Sequence, residues 1–279
     1  MAVLLKTRKS LKDWTTELRM RGTRVALVPT MGALHDGHLS LVRRGQEVAD
    51  RTVVSIFVNP AQFAPSEDFD RYPRTLEKDL DKLAAIATDA VFTPTSDDIY
   101  PPGFATTIVP TGPAVAGLED ISRPDHFAGV ATVVAKLLIQ CAPDVAVFGE
   151  KDYQQLSVVR RMTRDLDLPV EIVGAETVRE PDGLAMSSRN RYLSDDERQR
   201  APVLFQALMD CAEAVRSGAD VDGAIATSGQ RIEEVGFEID YLALRDAETL
   251  LSPTDMSRPL RILVAAQLGA TRLIDNVAV

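Results

Sequence analysis

RVALVPTMGALHDGHLSLVRRGQEVADRTVVSIFV, residues 24–58, decides the fold. Its two ends, 24–29 (RVALVP) and 52–58 (TVVSIFV), are short apolar runs, and each reads as a buried strand. Between them, residues 38–50 set Leu39, Leu41, Val42 and Val48 at helical spacing. Strand, helix, strand is a βαβ unit, and its crossover forces the two strands to lie parallel. The alternation continues outward. Residues 75–87 read as a helix with Leu76, Leu80, Leu83 and Ile86 on one stripe, 90–93 as a short strand and 129–141 as a buried helix. A strand at 145–148, a helix at 153–166 and a strand at 169–173 follow. The pattern predicts an α/β fold: a Rossmann-like, doubly wound parallel sheet.

The pattern changes near residue 177. A loop at 181–190 precedes a long helix beginning near Ser194, where Glu197 three residues on completes a capping box. A second helix is expected at 221–235, then strands at 238–244, 260–266 and 271–276. Helices followed by strands predict a smaller α+β domain, with 1–177 as the first unit and 178–279 as the second.

The 279 residues carry 41 acidic and 31 basic side chains, a net charge of −10, with 45% hydrophobic and 26% charged residues. This is a soluble globular composition, not a disordered one. The acidic balance argues against a general nucleic-acid binder, yet leaves room for a local basic pocket that takes a small anion. Cys141 and Cys211 are too few for a disulfide framework or a four-thiolate zinc site, and read as reduced thiols. The opening MAVLLKTRKSLKDW lacks the apolar core of a signal peptide. No apolar run approaches the roughly 20 residues that span a bilayer. A cytoplasmic protein without membrane or nucleic-acid partners is expected.

The chemistry concentrates in residues 28–38, VPTMGALHDGH, which leave the first strand and enter a helix. Ligands of open α/β sheets bind outside the carboxyl ends of the strands. His35 and His38 fall at the helix N-terminus, where free N–H groups and the positive end of the dipole favour phosphate. Gly37 lets a ligand approach the backbone, and the imidazoles supply donors to phosphoryl oxygens. The plainer readings are a chance pair of loop histidines, or a metal pair for which no third ligand is evident.

His35-Asp36-Gly37-His38 resembles the HxGH signature of the nucleotidyltransferase superfamily, which includes the class I aminoacyl-tRNA synthetases. Met186-Ser187-Ser188-Arg189-Asn190 resembles the partner KMSKS-type loop. Three further stretches are FVNPAQF (57–63), SRPDHFAGV (122–130) and FGEKDYQQ (148–155). Together with PTMGAL (29–34) and the Ser-Ser-Arg-Asn loop, they resemble the pantothenate synthetase (pantoate–β-alanine ligase) family from about residue 20 to the C-terminus. Two departures stand out. Asp125 occupies a position where glycine is expected, and Ala61 one where a larger side chain is common, which would reshape the acid pocket slightly.

The resemblance implies a two-step reaction. Pantoate's carboxylate attacks the α-phosphorus of ATP, releasing pyrophosphate, and the amine of β-alanine then attacks the pantoyl adenylate, releasing AMP. It implies that His35, His38, Lys151, Ser187, Ser188 and Arg189 act on the phosphates. Arginine suits this because its planar fork binds phosphate bidentately. Pro29, Thr30, Met31, Gly37 and Phe148 would join the ATP site, with Gly149 and Asp152 at the ribose and Val178 and Met186 at the adenine. Met31, Phe57, Asn59, Gln62, Arg123 and Gln155 would bind pantoate, the neutral amides suiting a hydroxy acid. Mg²⁺ would accompany ATP without a protein cage. The resemblance also implies a homodimer.

Residue by residue, simpler roles compete. Met31 and Phe57 could be ordinary core, Lys151 and Asp152 a helix-start charge pair, and Gln155 a surface residue. Asp68, Asp70, Arg71 and Arg74 read as a solvated, salt-bridged segment, and His126 as a helix cap or packing residue. Other HxGH nucleotidyltransferases would not need the two glutamines. A class I tRNA synthetase would need an RNA-binding appendage, and the acidic charge speaks against it. A nucleotide-binding module without turnover is the non-enzymatic alternative.

Overall fold

The computed structural model describes residues 2–63, 69 and 72–279. Asp68, Asp70 and Arg71 lie outside them. Arg74 lies inside and sets its guanidinium over the ring of Phe69.

The first unit interleaves strands and helices. In chain order it has β1 (Val3–Leu5), α1 (Arg8–Met20), β2 (Val25–Thr30), α2 (Asp36–Val48) and β3 (Arg51–Ile56). Then come α3 (Leu76–Ala85), β4 (Ala90–Phe92) and two four-residue helices, α4 (Ser96–Ile99) and α5 (Glu119–Ser122). It ends with α6 (His126–Cys141), β5 (Val145–Gly149), α7 (Tyr153–Asp165) and β6 (Glu171–Ala175). The six strands form one sheet in the order β1-β4-β3-β2-β5-β6, and every pairing is parallel.

Alternation along the central strands fills both faces. Val25, Leu27, Val53, Ala146 and Phe148 join one core with Leu11 of α1, the apolar body of α6, and Leu156 and Val159 of α7. Ala26, Val28, Val54, Val145 and Val147 join the other with Leu39, Leu41 and Val42 of α2 and Leu83 of α3. Helices therefore cover both faces, as a doubly wound sheet requires. The chain steps from β2 outward to β3 and β4, then returns to β5 on the other side of β2. The crevice between the carboxyl ends of β2 and β5 is thus the topological switch point.

The second unit has α8 (Asp195–Arg200), α9 (Val203–Arg216) and α10 (Val221–Glu234) over an antiparallel sheet, β7 (Phe237–Asp246), β8 (Leu260–Leu268) and β9 (Thr271–Ala278). The Ser194–Glu197 capping box is present. The single long helix expected from it is instead two, α8 and α9, divided at Ala201–Pro202, because proline has no N–H to continue the ladder. β1 and α1 were not anticipated. β1 is three residues long, too short for a periodic signal, although Leu11, Trp14 and Leu18 give α1 a stripe against the core.

Buried polar contacts dock the units. Arg272 of β9 donates to both oxygens of Glu119 in α5 at 2.8 Å, and the Tyr241 hydroxyl of β7 donates to the same carboxylate at 2.9 Å. Burial opposes ionisation of Glu119, but the Arg272 guanidinium outweighs it and holds the carboxyl below its usual range. The Tyr153 hydroxyl donates to the Ala247 carbonyl at 2.9 Å.

Candidate active site

One cavity of about 220 Å³ opens at the β2/β5 crevice. β2 delivers Pro29, Thr30 and Met31, and β5 delivers Phe148 and Gly149. His35 is the N-cap of α2, in extended backbone, and His38 lies in its first turn. The rings lie against each other with centroids 4.1 Å apart, tilted by 49°. The His35 backbone N–H donates to His38 Nδ1, so a neutral His38 carries its proton on Nε2. His35 Nδ1 is buried and has no partner. Gly37 has a reason beyond ligand approach: a Cβ there would meet the His35 ring at 2.9 Å.

Burial, followed by the cations Lys151 and Lys82, lowers His35 to about 4. Burial, followed by the neighbouring His35, lowers His38 to about 3. Both imidazoles are therefore neutral at pH 7, and act as dipolar hydrogen-bond donors rather than fixed charges. The formal charge comes from Lys151 and Arg189, which line the same cavity.

Lys151 sits in a single 3₁₀ turn, Glu150–Asp152, and is gripped from the second unit. Asn276 of β9 donates from Nδ2 to the carbonyls of Glu150 and Lys151, both at 2.9 Å. Arg261 of β8 pairs with Glu150 at 3.3 Å and lies 3.8 Å over the Tyr153 ring. Asp152, half exposed to the cleft, stands 3.9 Å from the Lys151 ammonium. Its desolvation is outweighed by Lys151 and Arg189, which hold its carboxyl low.

Residues 178–190 fold as a small hairpin across the opening. The Met186 N–H reaches the Val178 carbonyl at 3.0 Å, and Arg179 bridges to Ala185. Arg179 ties the hairpin to β9 by two bonds to buried Asp275, at 2.6 and 2.9 Å. Ser187 caps the following 3₁₀ turn, accepting from the Arg189 N–H at 3.2 Å. Val178, Met186, Ser187, Ser188 and Arg189 all reach the cavity.

Part of the wall is apolar and studded with amides. Met31, Phe57, Val130, Val133 and Val134 line it beside Asn59, Gln62 and Gln155. The Tyr100 hydroxyl donates to Asn59 Oδ1 at 2.8 Å, and Asn59 Nδ2 donates to Gln62 Oε1 at 3.1 Å. With its oxygen so occupied, Gln62 keeps its NH₂, 3.0 Å from Met31 Sδ, as the donor end. Gly129 permits α6 to touch the turn that carries Gln62, for a Cβ there would meet the Ala61 carbonyl oxygen at 2.0 Å.

The fold brings together every expected site residue except Arg123. That guanidinium lines a neighbouring cavity of about 690 Å³ and pairs with Glu119. Together with His126 Nδ1, at 2.9 Å, it grips the Gln62 carbonyl from behind, so it supports the pocket from outside its wall. His126 opens α6 and packs there, as expected of a packing residue. Ala61 is exposed and does not line the cavity. Tyr100, Gly129, Asn276, Asp79 and Lys82 were not anticipated. Asp79 had a signal, a carboxylate on the apolar stripe of α3 between Leu76 and Leu83.

A family model described as pantoate-beta-alanine ligase matches residues 3–278. The chain belongs to the pantoate–β-alanine ligase family. It is 60% identical over 271 residues to a pantothenate synthetase of Bradyrhizobium sp. strain BTAi1, covering 97% of this chain and 96% of that one. It is 55% identical over 280 residues to one of Rhodopseudomonas palustris, covering 99% and 98%. A crystal structure of pantothenate synthetase from Thermus thermophilus superposes with a TM-score of 0.92 at 46% identity, covering 99% and 98%. That of the Francisella tularensis ligase, described as complexed with beta-gamma ATP and beta-alanine, gives 0.82 at 32% identity, covering 99% and 97%.

Proposed function

We propose that this protein condenses D-pantoate with β-alanine at the expense of MgATP, through a pantoyl adenylate. The observation that carries this reading is one crevice holding both halves of the requirement. Neutral imidazoles and cations line it together with amides and apolar side chains.

A carboxylate is a poor acyl donor to an amine until it has a good leaving group. In the first step a pantoate carboxylate oxygen attacks the α-phosphorus, and the bond to the β-phosphoryl oxygen breaks, releasing pyrophosphate. His35 and His38 donate to the phosphoryl oxygens as charge develops, while Lys151 and Arg189 neutralise it. Ser187 and Ser188 bring the hairpin's hydroxyls to the same phosphates. In the second step the β-alanine nitrogen attacks the acyl carbon, loses a proton, and AMP departs. Gln62 and Gln155 hold the pantoate oxygens, Met31 and Phe57 pack on its gem-dimethyl group, and Asn59 orients Gln62. Pro29, Thr30, Gly37, Phe148, Gly149, Asp152, Val178 and Met186 surround the nucleotide, with residues 1–177 binding the reactants and 178–279 covering them.

Mg²⁺ arrives on the triphosphate. Among the described residues no group of three metal-ligating side chains is present, and such an ion needs only phosphate oxygens and water. The dimer implied by the family is supported by three exposed apolar side chains, Val109 (74%), Val115 (62%) and Ile121 (74%). Light scattering should give twice the chain mass, and V109D/I121D should halve it. The cytoplasmic assignment is supported by the buried free thiols Cys141 and Cys211. Among the described residues no helix is long and apolar enough to cross a membrane.

The direct test supplies MgATP, D-pantoate and β-alanine and measures AMP, pyrophosphate and pantothenate, which should form in equal amounts. Without β-alanine, pantoate should still drive exchange of labelled pyrophosphate into ATP. AMP formation only with a different acid would overturn the assignment.

A further inference from the structure

The loop that presents His35 is strained. Gly32 has φ +84°, and Ala33, which has a Cβ, has φ +51°. An alanine in the left-handed region costs about 1 kcal/mol or more, so something must hold it there. The holding groups come from α3, outside the cavity. Asp79, 1% exposed, accepts the Ala33 N–H at 2.9 Å on one oxygen and the Leu34 N–H at 2.8 Å on the other. The Thr75 hydroxyl donates to it at 3.1 Å. One turn along α3, the Lys82 ammonium donates to the Leu34 carbonyl. Leu34 is thus gripped by its N–H and its C=O from a single helix, and the next residue is His35. Rotating either peptide about Leu34 would swing the His35 ring against the His38 ring, whose centroid lies 4.1 Å away.

We propose that Asp79 and Lys82 are positioning residues for the His35/His38 phosphate cradle. They act through the Leu34 peptides and touch no reactant. The inference rests on the reading of those histidines as the phosphate-binding pair. It is also specific in direction: the acid pocket is anchored separately, through Tyr100, Asn59 and the Gly129 contact, so disturbing α3 leaves it in place.

The test measures pantoate-dependent pyrophosphate exchange in the intact protein for Asp79→Asn, Lys82→Met, Lys82→Arg and His35→Ala, with thermal melts and pantoate binding alongside. Asn keeps the volume of Asp79 but places a donor against one of the two N–H groups. Met keeps the length of Lys82 but donates nothing. D79N and K82M should each lower kcat for exchange about ten-fold or more, as expected when reacting groups are misplaced by a fraction of an ångström. Pantoate affinity should stay within two-fold, and K82R should recover most of the rate. If D79N fails to fold, the K82M and K82R pair carries the test. Exchange within two-fold of wild type in D79N and K82M, while H35A is crippled, would overturn this inference alone. A fall in pantoate affinity matching the fall in kcat would also overturn it, because the effect would then be general unfolding. Unimpaired H35A would remove the underlying reading and this inference with it.

Discussion

Gly129→Ala is a one-methyl change that should disable the acid pocket without removing a polar side chain. The new Cβ would sit 2.0 Å from the Ala61 carbonyl oxygen, 2.4 Å from its carbon and 2.8 Å from the Gln62 nitrogen. These are backbone atoms and cannot swing aside. Ordinary contact begins near 3.4 Å, so the turn at Pro60–Gln62 must withdraw by about 1.4 Å. The withdrawal lengthens the Asn59 Nδ2 bond to the Gly129 carbonyl, already 3.3 Å, and carries Gln62 with it. A misplacement of about 1 Å costs about 100-fold in rate, and overpacking costs about 1–3 kcal/mol. For a chain of this size that lowers the melting temperature by roughly 2–4 °C per kcal/mol. The expected result is a fall of about 100-fold in kcat/KM for pantoate, a melt lower by several degrees, and a KM for ATP close to wild type. Gly229→Ala is the control. It lies inside α10, and its Cβ would meet only the Ile239 and Leu242 side chains of β7, at 3.7 and 3.8 Å, so it should stabilise by about 0.5–1 kcal/mol. A G129A enzyme with wild-type pantoate kinetics would refute the close-approach reasoning.

Tyr100→Phe removes the hydroxyl that orients Asn59, and should raise KM for pantoate several-fold while KM for ATP and the melt hold; equal changes in both KM values would contradict the relay. Arg179→Met leaves Asp275, 3% exposed, without its bidentate partner, and should cost about 3–5 kcal/mol in urea denaturation. A cost under about 1 kcal/mol, the range of a solvated pair, would show that water reaches Asp275. His35 and His38 titrate near 4 and 3 when folded but near 6.5 when unfolded. The unfolded chain therefore takes up protons first, and stability falls as pH drops from 6.5 towards 4 for His35 and 3 for His38. Between pH 7 and pH 5 the urea midpoint should fall further for wild type than for H35A/H38A; equal falls would mean that the histidines are not buried as neutral groups.

The parallel sheet was legible because β2, α2 and β3 each carry a clean apolar period, and the histidine loop because its residue types match one chemistry. The residues that hold the site from behind were not. Asp79 interrupts the apolar stripe of α3, but it sits among Glu77, Lys78, Asp81 and Lys82, and its partners, the Ala33 and Leu34 N–H groups, meet it only when α3 packs against the loop. Gly129 lies in an apolar helix where the distance to the Ala61 carbonyl is a tertiary fact. Arg123 carries the right charge near the right motif, yet its direction is set by Glu119 and His126, which only the folded chain supplies.

The grip of Asn276 on the Lys151 turn spans 125 residues of chain. During synthesis the two histidines and Gln62 emerge early, and the parallel sheet can form around them. The two bonds that brace the Lys151 turn form only once β9 has emerged. A chain translated only as far as α7 therefore has the Lys151 turn without the two bonds that brace it.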